Sequence, residues 1–239
     1  MIEPQRSQNF CDTCAVRNRA ICADLAEAEI AVLNRIGRRR TLAPGEQLLW
    51  EGEEAVLVAN VIEGMLKLSA GTSDGKEQIV GLAYPSDFLG RPFGETTPYG
   101  VEALTEAQVC VFQRADFDRF AREHPRLEHK LLERTLTELD RSRRWMLLLG
   151  RMSAEQKLAS FLLETAERLA PASCSFSLEA AQRTIELPLS RQQIADVLGL
   201  TIETVSRQFS KMRKAGTIDL DGRRDVSIVD REALERLAA

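Results

Sequence analysis

The 239-residue sequence lacks several features that would place it in a membrane or secreted class. Its longest plainly apolar run, Trp145 to Leu149, falls far short of the roughly 18 residues that a membrane-spanning helix needs. The N-terminal segment MIEPQRSQNFC has no apolar stretch of the kind found in secretory signal peptides. Internal repeats and low-complexity tracts are also missing. We therefore expect a cytoplasmic protein with no membrane segment.

Neither sign of charge dominates the composition. The 32 basic and 36 acidic residues give a formal net charge of −4, which argues against a nonspecific binder of polyanions. Apolar residues make up 44% and charged residues 28%, as in ordinary globular proteins, so disorder is excluded. The length predicts one to two domains. No substrate constellation or cofactor fingerprint of an enzyme is present, and we predict that the chain is not one.

Cysteine is scarce but unevenly placed. Cys11, Cys14 and Cys22 crowd into the leader, whereas Cys110 and Cys174 are isolated. An odd count without a secretory signal argues against a disulfide framework and favours metal binding or redox chemistry. Cys110 lies in the strand-like run QVCVFQ and can supply a fourth thiolate, whereas Cys174 has no partner motif. Four thiolates suit a [4Fe–4S] cluster or a tetrahedral zinc ion, and the spacing does not separate the two.

Hydrophobic periodicity divides the chain into four segments. Residues 1–28 form a cysteine-bearing leader, and residues 29–115 alternate strand-like runs with turn signals, which predicts a β-roll. Residues 116–150 predict a long helix, because glycine is missing from Val101 to Leu149 and leucine, glutamate and arginine are frequent. Residues 151–239 combine helical patterns with two strand-like pieces, TIDLDG and DVSIVD. The predicted fold class is α+β.

Two further local elements are expected. The segment Asp24–Ile36 has apolar residues near helical spacing and predicts a short helix. The stretch between Pro171 and Pro188, which contains Cys174, is predicted to be a loop.

The predicted long helix carries an apolar stripe with coiled-coil-like spacing. Its members are Leu132, Leu136, Leu139 and Met146. The alternative is that the stripe packs against the helix's own domain. Because this helix joins two domains and exceeds the usual globular length, a homodimer interface is favoured. Arg143 interrupts the stripe.

The sharpest local pattern is LSRQQIADVLGLTIETVSRQFSKM, which has the layout of a helix-turn-helix. Ser190 and Thr201 can cap the two helices, and Gly199 supplies the positive φ of the turn between them. Both helices then present apolar residues inward: Ile194, Ala195, Val197, Leu198, Val205, Phe209 and Met212. The strand-like pieces that follow predict a wing.

The outward face of the second helix is polar and basic, which suits DNA. Arg207 can form two hydrogen bonds with guanine, Glu203 can accept one from cytosine, and Ser206 can reach a neighbouring base. Basic residues of the helix and wing are expected to contact phosphates: Lys211, Lys214 and Arg223. The alternative for Glu203 and Arg207 is a solvated i,i+4 salt bridge, which is compatible with base contact.

The order of the segments and the motif LGLTIETVSRQF resemble the cyclic-AMP receptor protein/fumarate–nitrate reduction regulator (CRP/FNR) superfamily, FNR branch. The resemblance covers essentially all residues from Cys11 onward. It implies a cyclic-nucleotide-binding-like jelly roll, a long dimerisation helix and a C-terminal winged helix-turn-helix. It further implies an oxygen-responsive transcription regulator that binds double-stranded DNA as a homodimer and works with RNA polymerase. Glu203, Ser206 and Arg207 would read a TTGAT half-site of a palindromic operator.

The resemblance also bears on the ligand of the roll. The cyclic-nucleotide branch binds phosphate through a glycine–acid element followed by an arginine. Phe93-Gly94-Glu95 resembles that opening, but Tyr99–Ala103 reads YGVEA without an arginine. Burying an unpaired phosphate charge is costly, so we expect no cyclic nucleotide and a simple loop at Phe93-Gly94-Glu95.

The FNR branch binds an oxygen-labile [4Fe–4S] cluster through three leader cysteines and one roll cysteine. The matching residues here are Cys11, Cys14, Cys22 and Cys110. The gap between Cys14 and Cys22 resembles that of alphaproteobacterial relatives. A second function stays open at this point: a zinc- or disulfide-stabilised DNA-binding regulator without oxygen sensing. Iron content and colour of protein purified without oxygen distinguish the two.

Overall fold

The structure is a computed structural model that describes residues 10–71, 75, 77–169, 184–187, 189–220, 222 and 225–239. Contacts group the chain into two compact units. The first comprises Met1–Gly64 and Pro85–Thr135, and the second comprises Met65–Tyr84 and Leu136–Ala239. Each unit therefore combines two separate stretches of the chain. No described helix is long and apolar enough to cross a membrane.

The first unit begins with the leader and one short helix. A series of turns runs from Phe10 to Asp24 and is followed by α1 (Glu27–Ile36), close to the predicted helix. The N–H of Ala26 donates to the Glu29 carboxylate at 2.6 Å, which satisfies one of the donors left open at the start of α1. Ile30 and Leu33 form the buried side of the helix.

The strands of the predicted roll follow α1. They are β1 (Gly37–Leu42), β2 (Gln47–Leu49), β3 (Leu57–Glu63), β4 (Leu66–Gly71), β5 (Glu77–Ala83), β6 (Phe88–Leu89), β7 (Gly100–Ala103) and β8 (Ala107–Gln113). In the first unit one antiparallel sheet has the order β1-β8-β3-β6, and β2 pairs with β7. In the second unit β4 pairs with β5. This architecture confirms the predicted α+β class.

The segment predicted as one helix over residues 116–150 consists of two. Helix α2 (Arg114–Glu123) ends at His124, and α3 (Pro125–Arg151) starts directly after it. Proline fits the first turn of a helix but cannot continue the preceding one, because it lacks an N–H and disfavours a helical residue before it. The His124 ring stacks on Phe120 with 3.9 Å between ring centroids. With 27 residues, α3 is the predicted long helix.

The core of the first unit joins the leader, α1, α2, the start of α3 and one face of the sheet. From the sheet come Val58, Ile62 and Phe112, which alternate with residues of the opposite face. The other elements contribute these buried residues: Val16, Ala20, Ile21, Leu25, Ile30, Leu33, Phe117, Phe120, Ala121, Leu127 and Leu131. The leader is therefore a packed part of the first unit.

The second unit contains the helix-turn-helix and the wing. Its further elements are α4 (Ala154–Leu169), β9 (Thr184–Glu186), α5 (Arg191–Leu198), α6 (Ile202–Lys214), β10 (Ile218–Leu220), β11 (Asp225–Ile228) and α7 (Arg231–Ala238). The strands form an antiparallel sheet of order β10-β11-β9. Strands β10 and β11 confirm the two strand-like pieces predicted for the wing.

Strand β9 corrects one prediction. It lies between Pro171 and Pro188, in the stretch predicted to be a loop, and it pairs with β11 through Val226 and Ile185. A three-residue strand has too little sequence for alternation to be visible, so the partner strand decides its conformation. Cys174, from the same stretch, lies outside the described residues.

The β4–β5 hairpin packs within the second unit. The side-chain amide of Gln78 donates to the Asp196 carbonyl of α5 at 3.2 Å. The hydroxyls of Tyr84 and Thr165 lie 3.3 Å apart, and the Arg168 guanidinium stands 4.7 Å from the centre of the Tyr84 ring. Although the hairpin belongs to the roll by its place in the chain, its polar contacts reach α4 and α5.

Candidate metal centre and nucleic-acid interface

Four of the five cysteines meet in the first unit. Cys11, Cys14 and Cys22 lie in the leader turns and Cys110 lies within β8, and all four belong to or pack against the same apolar core. All four are free thiols. We refer to these residues as the thiol cluster. The sequence pattern had placed one thiolate on each of them, and the structure brings them to one side of the roll.

The pKa values of the thiols reflect their mutual proximity. Burial, followed by the charges of Cys14 and Cys11, raises the pKa of Cys22 from 9.0 to about 11. Burial, followed by the charges of Cys11, Cys14 and Cys22, raises the pKa of Cys110 to about 12. The pKa of Cys11 is also raised, by burial and by Cys14. Thiolates at these positions repel one another, and a bound cation would relieve that repulsion.

Hydrophobic packing positions the leader thiols. Val16, Ala20 and Ile21 are at most 1% exposed and lie in the same core as Phe112 of β8. Burial of three apolar side chains supplies several kcal/mol, at about 1.5–3 kcal/mol for each large one. Arg17 adds ion pairs to Asp12 and Glu27 on the exposed side. The leader is thus held by its own side chains at the edge of the sheet.

Strand register fixes the neighbours of Cys110. Cys110 is paired with Arg39 of β1 and with Asn60 of β3. Paired residues of an antiparallel ladder place their side chains on the same face, so both lie beside the Cys110 thiol. At the start of β1, a Cβ added to Gly37 would stand 3.3 Å from the Cys110 Sγ and 2.8 Å from the Phe112 ring. Glycine at this position leaves room next to the thiol.

Arg39 connects the leader to the roll. Its guanidinium donates a hydrogen bond to the Phe10 carbonyl at 2.5 Å and stands 5.5 Å from the centre of the Phe10 ring. Its positive charge works to lower the pKa of Cys11 and Cys110, although burial prevails at both. Arg39 therefore has two roles: it holds the leader and partly offsets negative charge on the thiol cluster.

Three thiols of the cluster, those of Cys11, Cys14 and Cys110, border a small apolar cavity. Its lining residues are Phe10, Cys11, Cys14, Asn34, Gly37, Arg38, Arg39, Ile62 and Cys110. In the described part of the chain, no three Cys, His, Asp or Glu side chains converge closely enough to hold a single metal ion. These three thiols thus lie around a space, and Cys22 lies in the core next to the other leader cysteines.

Sequence analysis did not identify Gly37, Arg39 or Asn60 as part of this site. Their place beside Cys110 depends on the order β1-β8-β3 and on the register of both strand pairs. Register is a long-range property that neither composition nor local spacing determines. The buried asparagine in the apolar run LVANVIE was the one available signal.

The helix-turn-helix has the predicted local structure. The Ser190 hydroxyl accepts from the Gln193 N–H at 3.2 Å, and the Gln193 side chain accepts from the Ser190 N–H at 2.8 Å. Thr201 caps α6 by accepting from the Thr204 N–H at 3.3 Å. Gly199 has φ 60°, in the left-handed region. All seven inward-facing residues that the pattern predicted are buried.

The three predicted base-reading residues lie on the exposed face of α6. Glu203, Ser206 and Arg207 are all exposed. Hydrogen bonds from its own N–H and from the Thr201 hydroxyl hold the pKa of the Glu203 carboxyl below 4.5. Among the ion pairs of the described residues, none joins Glu203 to Arg207, so the salt-bridge alternative is not formed here. Both side chains stand on one face at the start of the helix.

The predicted phosphate contacts have different surroundings. Lys211 is ion-paired with Glu155 of α4, a partner that the sequence did not suggest. Lys214 is exposed at the end of α6. Arg223 lies outside the described residues. The basic face of α6 therefore includes one lysine that already has an acidic neighbour.

The predicted dimer stripe of α3 is exposed. Leu132, Leu136, Leu139 and Met146 are between 44% and 72% exposed. Leu147, which the sequence analysis left out, is 56% exposed. Exposed leucines in such number on one helix are typical of an interaction surface.

The loop between β6 and β7 is organised by α2. Phe93 has φ 59°, and its N–H donates to the Asp118 carboxylate at 3.1 Å. Asp118 is in turn ion-paired with Arg114 at 3.1 Å. Phe93-Gly94-Glu95 is a loop, as predicted, and the YGVEA segment contributes β7.

Comparisons with known proteins agree with this architecture. A cyclic nucleotide-binding domain family matches residues 39–124, and a Crp-like helix-turn-helix domain family matches residues 156–237. The transcriptional activator protein FnrL of Cereibacter sphaeroides is 42% identical over 220 residues, which cover 92% of this chain and 88% of FnrL.

Two further relatives cover the chain as well. The nitrogen fixation regulation protein FixK of Bradyrhizobium diazoefficiens is 41% identical and covers 100% of this chain and 97% of its own. The structure of FixK2 from Bradyrhizobium japonicum superimposes with a TM-score of 0.76 at 32% identity, over 85% of this chain and 98% of that one. With a β-roll, a long helix and a winged helix-turn-helix in the same order, the chain belongs to the CRP/FNR family of transcription regulators.

Proposed function

We propose that this protein is an oxygen-responsive transcriptional activator that binds a palindromic TTGAT-type operator as a homodimer while a [4Fe–4S] cluster is intact. The observation that supports this proposal most directly is that Cys11, Cys14, Cys22 and Cys110 lie close together on one side of the roll. Each supplies one thiolate, and Cys174 supplies none. When bound, the cluster supplies an oxygen-reactive redox centre.

The space beside the thiols supports an iron–sulfur group over zinc. Thiolates are the usual ligands of such clusters, whereas a structural zinc ion needs four donors that converge tetrahedrally on one point. Cys11, Cys14 and Cys110 border a cavity. Gly37 keeps space open beside the Cys110 sulfur. Both features favour a group larger than a single ion.

The charges around the site support thiolate ligands. Arg17 and Arg39 both act to lower the pKa of Cys11, and Arg39 does so for Cys110. Because metal binding requires deprotonated cysteines, positive charge at this distance favours the loaded state. The buried leader residues Val16 and Ile21 limit access of water and small oxidants from the leader side.

Sequence-specific DNA binding is assigned to α6. The exposed N-terminal half of the helix carries Glu203, Ser206 and Arg207, which is where a recognition helix contacts base edges in the major groove. Lys211, Lys214 and Arg223 supply positive charge for phosphates. Since one helix-turn-helix covers a half-site, the palindrome requires a second copy, joined through Leu132, Leu136, Leu139 and Met146 of α3. The name of FnrL as an activator supports RNA polymerase as a further partner.

The test is purification of the protein without oxygen. We expect brown protein with iron and acid-labile sulfide and with iron–sulfur absorbance that air exposure removes. Alanine at any of Cys11, Cys14, Cys22 or Cys110 should abolish the absorbance, and Cys174→Ala should retain it as the matched control. Zinc in place of iron would support a DNA-binding regulator without oxygen sensing. Retained iron and sulfide in Cys110→Ala would show that Cys110 is not a ligand.

A further inference from the structure

Asn60 is a buried polar residue in an otherwise apolar strand. It lies in the apolar run LVANVIE of β3 and is 3% exposed. Its Oδ1 is fully buried and has no hydrogen-bond partner in the described part of the chain. Nearly all buried polar groups in folded proteins have partners, so an exception requires an explanation. An aliphatic residue at this position would avoid the cost of the unpaired oxygen.

The neighbours of Asn60 point to the thiol cluster. Across the strands it is paired with Cys110 on β8 and with Phe88 on β6. Val58 and Ile62, two residues away on either side, share its face and belong to the core that surrounds the thiols. Phe88 offers no polar atom. Among the cross-strand partners of Asn60, Cys110 is therefore the one that can form a hydrogen bond.

The chemistry of the pair depends on the state of the cysteine. A carboxamide has two N–H donors and one acceptor, whereas a thiolate can only accept. Directly opposed residues in an antiparallel ladder have Cβ atoms about 4.5–5.5 Å apart, so rotation about the terminal side-chain bond can bring an N–H to the sulfur. A hydrogen bond to a charged acceptor is stronger than one between neutral groups.

We propose that Asn60 is a positioning residue whose side-chain N–H donates a hydrogen bond to the Cys110 thiolate when the thiol cluster is loaded. This inference rests on the proposed function. The role gives a function to an amide in a strand that is otherwise apolar: rotation about the terminal side-chain bond exchanges the oxygen for an N–H donor, which the charged Cys110 can accept. Hydrogen bonds to ligand sulfurs are also a known means of adjusting the potential of an iron–sulfur site.

The proposal predicts two effects of opposite sign for Asn60→Leu. In protein prepared without iron, the variant loses an unpaired buried oxygen, and its Tm should rise by about 2–4 °C. In protein loaded with iron and sulfide, the half-life of the iron–sulfur absorbance in air should fall by about 10-fold or more, as for other partners of metal ligands. If Asn60→Leu only disturbed packing, the Tm of the iron-free protein and the half-life of the absorbance would both fall, which would contradict the proposal.

Gln208→Leu is the matched control. Gln208 lies in α6 of the second unit and also has a buried side-chain oxygen without a partner. Its replacement should raise the Tm in the same way and leave the half-life of the absorbance unchanged. Asn60→Asp is the second test variant, because it keeps the shape of asparagine but places a carboxylate beside the thiolate. It should shorten the half-life at least as much as Asn60→Leu.

The outcomes separate the two proposals. Wild-type protein without iron–sulfur absorbance overturns the proposed function, and the role of Asn60 with it. Wild-type protein with the absorbance, together with an unchanged half-life in Asn60→Leu and Asn60→Asp, overturns the role of Asn60 alone. If Asn60→Leu does not fold, an unchanged half-life in Asn60→Asp is sufficient to reject it. A shift in the reduction potential of the loaded Asn60→Leu protein would be an independent sign of the hydrogen bond.

Discussion

Lys211, in the last turn of helix α6, is ion-paired with Glu155 in the first turn of α4. The lysine side chain is 61% exposed, so the pair is a surface interaction worth about 0–1 kcal/mol. A DNA phosphate at the same lysine would compete with the Glu155 carboxylate. If Lys211 contacts a phosphate, as proposed, Glu155 would reduce its contribution to DNA binding without preventing it.

Glu155→Gln should release Lys211 and strengthen DNA binding a few-fold on cognate and scrambled sequences alike. Lys211→Ala should weaken both equally and reduce the slope of log affinity against log salt by about one. The measurement is a salt titration of binding by fluorescence anisotropy. The double variant is the control, because Glu155→Gln should have no effect once Lys211 is gone. An unchanged slope in Lys211→Ala would mean that this lysine does not reach a phosphate.

Arg207→Ala should lose about 1–3 kcal/mol on the cognate operator and relax the preference for one guanine. The reason is that loss of a base contact lowers affinity for sequences that carry the contacted base, whereas loss of a phosphate contact lowers affinity for all sequences. Competition binding against operators with each base pair substituted measures the effect. Lys214→Ala is the control, since loss of a phosphate contact should be uniform. Equal losses on cognate and scrambled DNA in Arg207→Ala would exclude base reading by this residue.

The stability of protein prepared without iron should fall as the pH rises above about 9. The pKa of Cys22 in the folded chain is about 11 and that of Cys110 about 12, against an ordinary 9.0. Between these pKa values the folded chain keeps protons on Cys22 and Cys110 that the unfolded chain has released. The contribution of these two thiols to the free energy of unfolding is therefore complete below pH 9 and is lost as the pH rises through 11–12. Urea unfolding between pH 7 and 11 under reducing conditions measures it. Cys110→Ala should flatten the dependence, and an equally steep profile in that variant would contradict the assignment.

Leu139→Glu should raise the dimer dissociation constant at least tenfold, because it places a charge in the apolar stripe of α3. A tenfold change corresponds to about 1.4 kcal/mol, which is small for an interface residue. Val229→Glu is the matched control, since Val229 is a 60% exposed apolar residue outside α3. Light scattering measures both variants.

The same measurement tests the oxygen response. We expect dimers before air exposure and monomers after it, as the iron–sulfur absorbance disappears. Arg143 interrupts the stripe, so the proposed interface would be marginal and a coupling of a few kcal/mol would be sufficient. A protein that remains dimeric at low micromolar concentration after the absorbance is lost must instead reorient its DNA-binding domains within a permanent dimer.

The features that the sequence predicted correctly are those that short-range chemistry determines. Ser190, Thr201 and Gly199 each define a helix end within a few residues, and the inward face of α6 follows from helical spacing. The gathering of the cysteines was implied by family resemblance, and packing of the leader achieves it. The structure added what depends on pairing: strand β9, the register that sets Asn60 beside Cys110, and the contact of Lys211 with Glu155.

The β4–β5 hairpin determines where hybrids of two related proteins can be joined. The chain changes from one compact unit to the other after Gly64, Tyr84 and Thr135, so neither unit is a continuous segment. A hybrid made by a single crossover in α3 would inherit the hairpin from one parent and its contacts, Asp196 and Thr165, from the other. Residues 65–84 should therefore be exchanged together with the C-terminal half, because each compact unit is made of two separate stretches of the chain.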